Sequence, residues 1–408
     1  MDPLGGKSNS LLTGAHIVCF APNPWDDLWR SRHHIFSRLA SQNMVLYVEP
    51  EVYSLSALRH GRVRLDLSAP RLRHEADGLW LYRHPVWAPR TVRPGLKQLT
   101  RRLRWLALRQ AMARLGLHRP ITWVFQPLHA ELVGTLDECL IIYHVVDQYA
   151  AYGHHSPEKQ QHIRQEERRL LSQADLVIVN SQASLEAKAF LNPHIGLVPS
   201  GVDFAAFERV RQANMPLPED IAQLHRPIVG YTGHISIRLD LPLLAEITRR
   251  RPQWSLALVG SVREDKYREE LKVLHALPNV HFLGKKAPEQ VPQYICAFDA
   301  CLIPYRQGEE AYHISPIKLY EYLAAGKPVV SIDIPALDGF RHVVRVADSP
   351  EAFIAALEAA LCEADPTLVE ERRRLAAANT WERRVEQIST LVRARLETVL
   401  VESPVTGL

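Results

Sequence analysis

Ser315, Lys318 and Glu321 place a hydroxyl, a cation and a carboxylate close together in the stretch 312–332, YHISPIKLYEYLAAGKPVVSI. Ser315 followed by Pro316 reads as a helix start, with the serine hydroxyl capping orphan amides and proline suited to the first helical position. Lys318 then falls in the first turn, where the helix dipole disfavours a cation unless an anion sits at the helix N-terminus. Glu321 lies three residues on and shares its face. A cation with free amides suits a diphosphate, and a carboxylate one turn deeper suits sugar hydroxyls. From this stretch alone two readings stay open: a nucleoside diphosphate site, or a surface ion pair on an ordinary helix.

Asp147 is a second candidate, because it directly follows the apolar run IIYHVV and so stands where a buried strand ends. In parallel α/β sheets ligand chemistry gathers at such carboxyl ends. A general base and a turn or helix-capping aspartate both fit that position. Asp27 and His33, in and after a loop rich in Pro, Trp and Asp, stand behind it as bases. Asp26 with Asp27 is the nearest approach to a metal motif, and no metal site is expected. The five cysteines are scattered without zinc or redox spacing, as for buried thiols in a reducing compartment. The quartet Gly5-Gly6-Lys7-Ser8 resembles the end of a P-loop but lacks the leading glycine and the strand, so it reads as a tail.

Such residues need a scaffold, and the chain supplies an α/β pattern twice. With 408 residues, two domains are expected. The first series has strands at 16–20, 45–48, 121–125, 140–146 and 176–179, helices near 32–41, 96–115 and 157–173, and alternating pieces within 63–89. A polar, proline-bearing segment at 209–227 reads as the linker. The second series runs strand 228–231, helix 240–251, strand 256–259, helix 264–274, strand 280–283, helix 288–297, strand 300–304, and then the opening stretch, with Gly326 ending its helix and a strand at 328–332. A last helix at 381–400 packs on either domain. Strands alternating with helices predict parallel sheets. The missing glycine fingerprint in the first turn argues against a dinucleotide enzyme.

The formal net charge of +4 is uneven: residues 78–130 contain no Asp or Glu, but Lys97 and nine arginines. Within that block, Leu96, Leu99, Leu103, Trp105 and Leu106 cluster among Arg101, Arg102, Arg104 and Arg109. The segment Arg83 to Arg119 fits an anionic membrane surface, and equally a core-packed helix with a solvated basic face. Nucleic acid is not expected, for want of aromatic platforms and binding motifs. No run is long enough to span a bilayer, so the expected location is cytoplasmic, with peripheral contact at the inner membrane face.

Taken together, Tyr231-Thr-Gly-His, Val280-His-Phe-Leu-Gly, the block from Ser315 to Val330, Val177-Ile-Val-Asn-Ser, Val198-Pro-Ser-Gly-Val-Asp and, more loosely, Trp25 to His33 resemble GT-B glycosyltransferases. The similarity is greatest to family 4 and to bacterial exopolysaccharide and teichuronic acid transferases. It implies two Rossmann-like domains facing across a cleft: an acceptor domain at 1–205, a nucleotide-sugar domain at 206–380, and a final helix at 381–408 crossing back. It further implies that Glu321 bonds the ribose, that amides near Ser315, Pro316 and Ile317 act with Lys318 on the diphosphate, and that Gly233 lets the donor approach. Backbone around Gly284 and Lys285 would meet the base. Two departures stand out. His313 occupies the place of a sugar-contacting glutamate, and His234 with Arg238 replace an expected Arg and Lys.

The implied function is hexosyltransferase-like: transfer from a nucleoside-diphosphate sugar to a glycan or lipid-linked glycan in surface or exopolysaccharide synthesis. Neither a metal nor another cofactor is expected. A nucleotide-sugar epimerase on the same fold and a non-catalytic nucleotide-sugar-binding assembly subunit are the rivals.

Overall fold

A computed structural model of the chain describes residues 11–50, 71–89, 94–152, 155–236, 238–262 and 268–402. The Gly5–Ser8 quartet, the start of the piece expected from residue 63 and the start of the helix expected from residue 264 lie outside these residues. Within them the chain forms two parallel sheets. The first contains β1 (His16–Phe20), β2 (Met44–Val48), β3 (Leu72–Ala76), β4 (Leu79–Tyr82), β5 (Ile121–Val124), β6 (Leu140–Val145), β7 (Leu176–Val179) and β8 (Ile195–Leu197). Their spatial order is β3-β4-β2-β1-β5-β6-β7-β8, and only the β3/β4 pairing is antiparallel. The second contains β9 (Ile228–Thr232), β10 (Ser255–Val259), β11 (Val280–Gly284), β12 (Ala300–Ile303), β13 (Val329–Ser331) and β14 (Val344–Val346) in the order β11-β10-β9-β12-β13-β14.

Helices cover both faces of such sheets, so the strands are continuous apolar runs rather than alternating ones. All residues of β5, β7, β9 and β10 are buried. Each sheet reverses its order beside its first strand, between β1 and β5 and between β9 and β12. Crevices for ligands open at those points. The fold is GT-B.

The expected linker is partly helical. Asp203 caps the helix Phe204–Gln212 by accepting from the Ala206 amide at 3.1 Å, and Phe207 enters the core of the second domain. A short helix, Glu219–Ala222, follows. The chain passes between domains a second time beside the first passage: the Val202 amide donates to Asn379 O at 3.0 Å and the Trp381 amide donates to Val202 O at 3.1 Å. The final helix, Trp381–Glu402, then lays Trp381, Val385, Ile388 and Val392 into the core of the first sheet.

Candidate active site

The two sheets face a common cleft of about 630 Å3. Its walls are the segments just beyond strand ends: Pro22 after β1, Gln126 after β5, Asp147 after β6, Asn180 after β7, Gly233 after β9, Gly260 after β10 and Tyr305 after β12. Gly233 (φ 126°) and Gly260 (φ 148°) bring two turns into contact, because a Cβ on Gly260 would lie 1.8 Å from Gly233 O. Only glycine permits both the backbone angle and that approach.

Lys318, Glu321, Ser315, Pro316 and Ile317 all line the cleft. The helix does not start as expected. Pro316 is its N-cap residue and Ile317 its first residue, with no side-chain cap. The Ser315 hydroxyl instead accepts from the Ser200 amide at 3.1 Å, while Ser200 Oγ donates to Ser315 O at 2.7 Å. This exchange stitches the two domains together and leaves the first helical amides uncapped towards the cleft, as an anion site requires. The helix closes with the Lys327 amide donating to Tyr322 O and the Gly326 amide to Leu323 O, with Gly326 at φ 70°, the paired bonds of a Schellman end.

Two tyrosines hold Lys318. Its Nζ donates to Tyr305 Oη at 2.6 Å and lies 5.0 Å from the ring centres of both Tyr231 and Tyr305. Burial works against its charge, but the oxygens of Tyr231 and Tyr305 outweigh it, and the pKa stands above the ordinary lysine value. Glu321 lies deeper. Desolvation pushes its carboxyl up to about 7, against the pull of Lys318.

Arg238 spans the cleft. It donates to Asp147 Oδ1 at 2.7 Å and Tyr152 Oη at 3.0 Å on the first domain, and to Glu310 Oε2 at 3.2 Å on its own. Asp147 is thus half engaged, with Oδ2 unbonded among the described residues. Lys285 crosses in the same way, donating to Asp26 O at 2.9 Å. His234 lines the cleft with Nδ1 2.7 Å from Ser261 Oγ, and Asp27 lines it between Asn23 and Arg30.

Three sequence-derived candidates are placed elsewhere. His33 is fully buried against Trp25 and Tyr47, accepts from the Arg30 amide at 3.0 Å, and is held neutral by burial and by Arg32, with its pKa down to about 3. It cannot reach an acceptor. His313 does not line the cleft: its Nδ1 lies 3.3 Å from Ser184 Oγ, and its carbonyl accepts from Ser181 Oγ at 2.8 Å, so it is a domain contact. Gly284 also stands outside the lining, although Lys285 and Lys286 after it reach in.

Sequence reasoning missed Tyr231 and Tyr305 as the cradle of Lys318. It missed Tyr152 and Glu310 as partners of Arg238, and Arg32 in the cleft wall of the first domain. Strand ends were the available signal, since Tyr305 follows β12 as Asp147 follows β6.

Residues 226–363 match the family model described as Glycosyl transferases group 1. The match spans the second sheet, β9 to β14. The chain is 33% identical over 192 residues to the putative teichuronic acid biosynthesis glycosyltransferase TuaH of Bacillus subtilis (strain 168), a match covering 45% of this chain and 47% of that one. It thus spans about half the length of that relative. Among solved structures it is similar to the sucrose-phosphate synthase of Thermosynechococcus elongatus, with TM-score 0.69, 20% identity, and 94% and 100% of the two chains covered. Anabaena HepE in complex with UDP-glucose gives TM-score 0.63 at 16% identity, covering 93% and 99%. WaaG, from lipopolysaccharide biosynthesis, gives 0.61 at 17%, also covering 93% and 99%. At these identities the structural likeness concerns the fold.

Proposed function

We propose that the chain is a glycosyltransferase that moves a sugar from a nucleoside-diphosphate donor to a glycan or lipid-linked glycan of the cell surface. The observation that carries this is the uncapped helix start at Ile317 with Lys318 beside it in the interdomain cleft, above a half-buried glutamate. HepE, of the same fold, was solved with UDP-glucose, which supports a nucleotide-sugar donor. The name of the teichuronic acid relative supports a surface polymer as product.

Departure of the diphosphate concentrates negative charge, and fixed donors aimed at that charge lower the barrier. Here the donors are the amides at Ile317 and Lys318, the Lys318 ammonium and Arg238. Glu321 receives the ribose hydroxyls. This set does the work of charge stabilisation without a divalent ion, and activity is expected to persist in EDTA. For a transfer with inversion, Asp147 is the group assigned to take the acceptor proton through its free Oδ2.

Release of nucleoside diphosphate from a panel of UDP-, GDP- and dTDP-sugars tests the proposal. One donor should be hydrolysed slowly without acceptor, and Lys318→Ala should slow that release roughly 100-fold or more. Full activity in Lys318→Ala, or no release from any donor, would overturn it. Appearance of an epimeric nucleotide sugar would replace it with the epimerase.

The membrane surface is the second part of the proposal. The helix Pro94–Arg114 packs through Leu108, Ala111 and Met112, leaving Leu96, Leu99 and Leu106 42%, 52% and 56% exposed beside Lys97, Arg101, Arg102 and Arg109. Trp87, 57% exposed, adjoins it, since the next residue's carbonyl accepts from Arg104 at 3.4 Å. Exposed leucines ringed by cations match an anionic bilayer surface.

A further inference from the structure

The acceptor side of the cleft contains a charge with no counterion. Arg32 is only 2% exposed, lies in the first turn of the helix Ser31–Ala40, and lines the cleft floor. Its Nη1 donates to the neutral Asn23 Oδ1 at 2.7 Å, and the guanidinium carbon lies 5.4 Å from the Phe125 ring centre. Its Nε is buried without a partner, and no carboxylate comes within ion-pair distance among the described residues. Next to it Arg30 has a similarly unpartnered Nε, and its Nη2 reaches Asp27 Oδ2 at only 3.4 Å. The first turn of this helix has no acidic residue.

Removing an ion from water is costly unless an opposite charge and further hydrogen bonds offset it. Here a cation-π contact and one amide provide a small part of that. An arriving anion would find two guanidinium groups with unpartnered donors and the positive end of a helix, at a largely buried arginine. The donor's diphosphate is a separate matter, because its cation, Lys318, belongs to the opposite domain.

We propose that Arg32, with Arg30 and the first amides of the helix Ser31–Ala40, binds an anionic group of the acceptor, a carboxylate or a phosphate monoester. The proposal rests on the transferase assignment and narrows its acceptor class: the acceptor sugar, or the residue next to it, is acidic.

Trp29, 36% exposed in the cleft, stacks 5.8 Å from His33 and reports on this side by fluorescence. The whole chain is titrated at fixed ionic strength with sodium glucuronate, glucose 6-phosphate and methyl glucoside. A charged sugar should bind roughly tenfold or more tightly than methyl glucoside, and the tighter of the two identifies the anion. Arg32→Met should abolish that preference, Arg32→Lys should retain part of it, and Lys318→Ala should leave it intact. Equal binding of charged and neutral sugars by the wild type overturns the proposal without need of any variant. So does a preference that survives in Arg32→Met or disappears in Lys318→Ala. A thermal-shift panel of nucleotide sugars separates the two levels. Protection by a nucleotide sugar without a charge preference removes only the anion site, whereas no protection by any nucleotide sugar removes the transferase assignment beneath it.

Discussion

If Glu321 receives the ribose as proposed, donor binding depends on pH. Its carboxyl ionises near 7 in the folded chain, against an ordinary value of 4.5. Between those values the native state holds a proton that the unfolded chain has lost, so this group's contribution to stability falls as pH rises through the window and levels off above it. Ribose hydroxyls donate more strongly to the ionised carboxylate. The donor KM is therefore expected to fall as pH rises through about 7, and Glu321→Gln should flatten that dependence while raising KM roughly tenfold or more. Steady-state kinetics from pH 5.5 to 8.5 check it, and an unchanged profile in the glutamine variant would assign the ionisation elsewhere. Asp147→Asn keeps the cross-cleft bond to Arg238 with an amide oxygen and removes the base. For an inverting enzyme kcat should fall roughly 100-fold or more, read by transfer assays with the product's anomeric configuration followed by NMR.

At the scale of elements, the helix Ile317–Ala324 and the helix Pro94–Arg114 show opposite uses of exposed ends and faces. The first is left uncapped because Ser315 bonds Ser200 instead of its own helix, and Gly326 ends it. The second turns leucines outward because Thr100, Arg104, Leu108 and Met112 occupy its inner face. That arrangement sets aside the core-packed alternative for Leu96, Leu99 and Leu106. Replacing Leu99 and Leu106 together by Asp should weaken binding to phosphatidylglycerol vesicles roughly tenfold or more, with little change in melting temperature. Wild-type binding should also weaken in high salt, as surface electrostatics are screened. Flotation assays decide it, and equal flotation of the double variant would reject the helix as the contact.

The whole molecule is held by more than the cleft. Trp381 is 1% exposed and stacks on His34 with ring centres 4.9 Å apart, so the last helix completes the core of the first domain although it follows the second in sequence. Trp381→Ala should lower stability by roughly 3–5 kcal/mol, seen as a fall in the denaturant midpoint. A midpoint unchanged from wild type would show that the helix merely rests on the sheet. Ser200 with Ser315, Ser181 with His313, Arg238 with Asp147, and Lys285 with Asp26 bridge the same two bodies, so any hinge motion must break or exchange polar bonds of this kind.

Local order determined a great deal without the structure. Continuous apolar runs such as 140–145 and 176–179 are too short for buried helices and fit buried parallel strands, and the helix at 157–173 starts at Ser156 and Pro157 where capping chemistry requires. The cleft positions of Lys318 and Glu321 were legible because both sit on one short helix, and that of Asp147 because it ends a strand. Partnerships made across the two domains were not legible. His313 resembled a cleft residue by position and became a domain contact. His33 stands one place from Arg32, yet it is sealed beneath the loop while Arg32 lines the floor. The Ser315 hydroxyl served another backbone. Which polar group faces the cleft depends on how two sheets meet, with partners separated by 91 residues for Arg238 and Asp147 and 115 for Ser200 and Ser315. No local period records such distances, and only packing decides them.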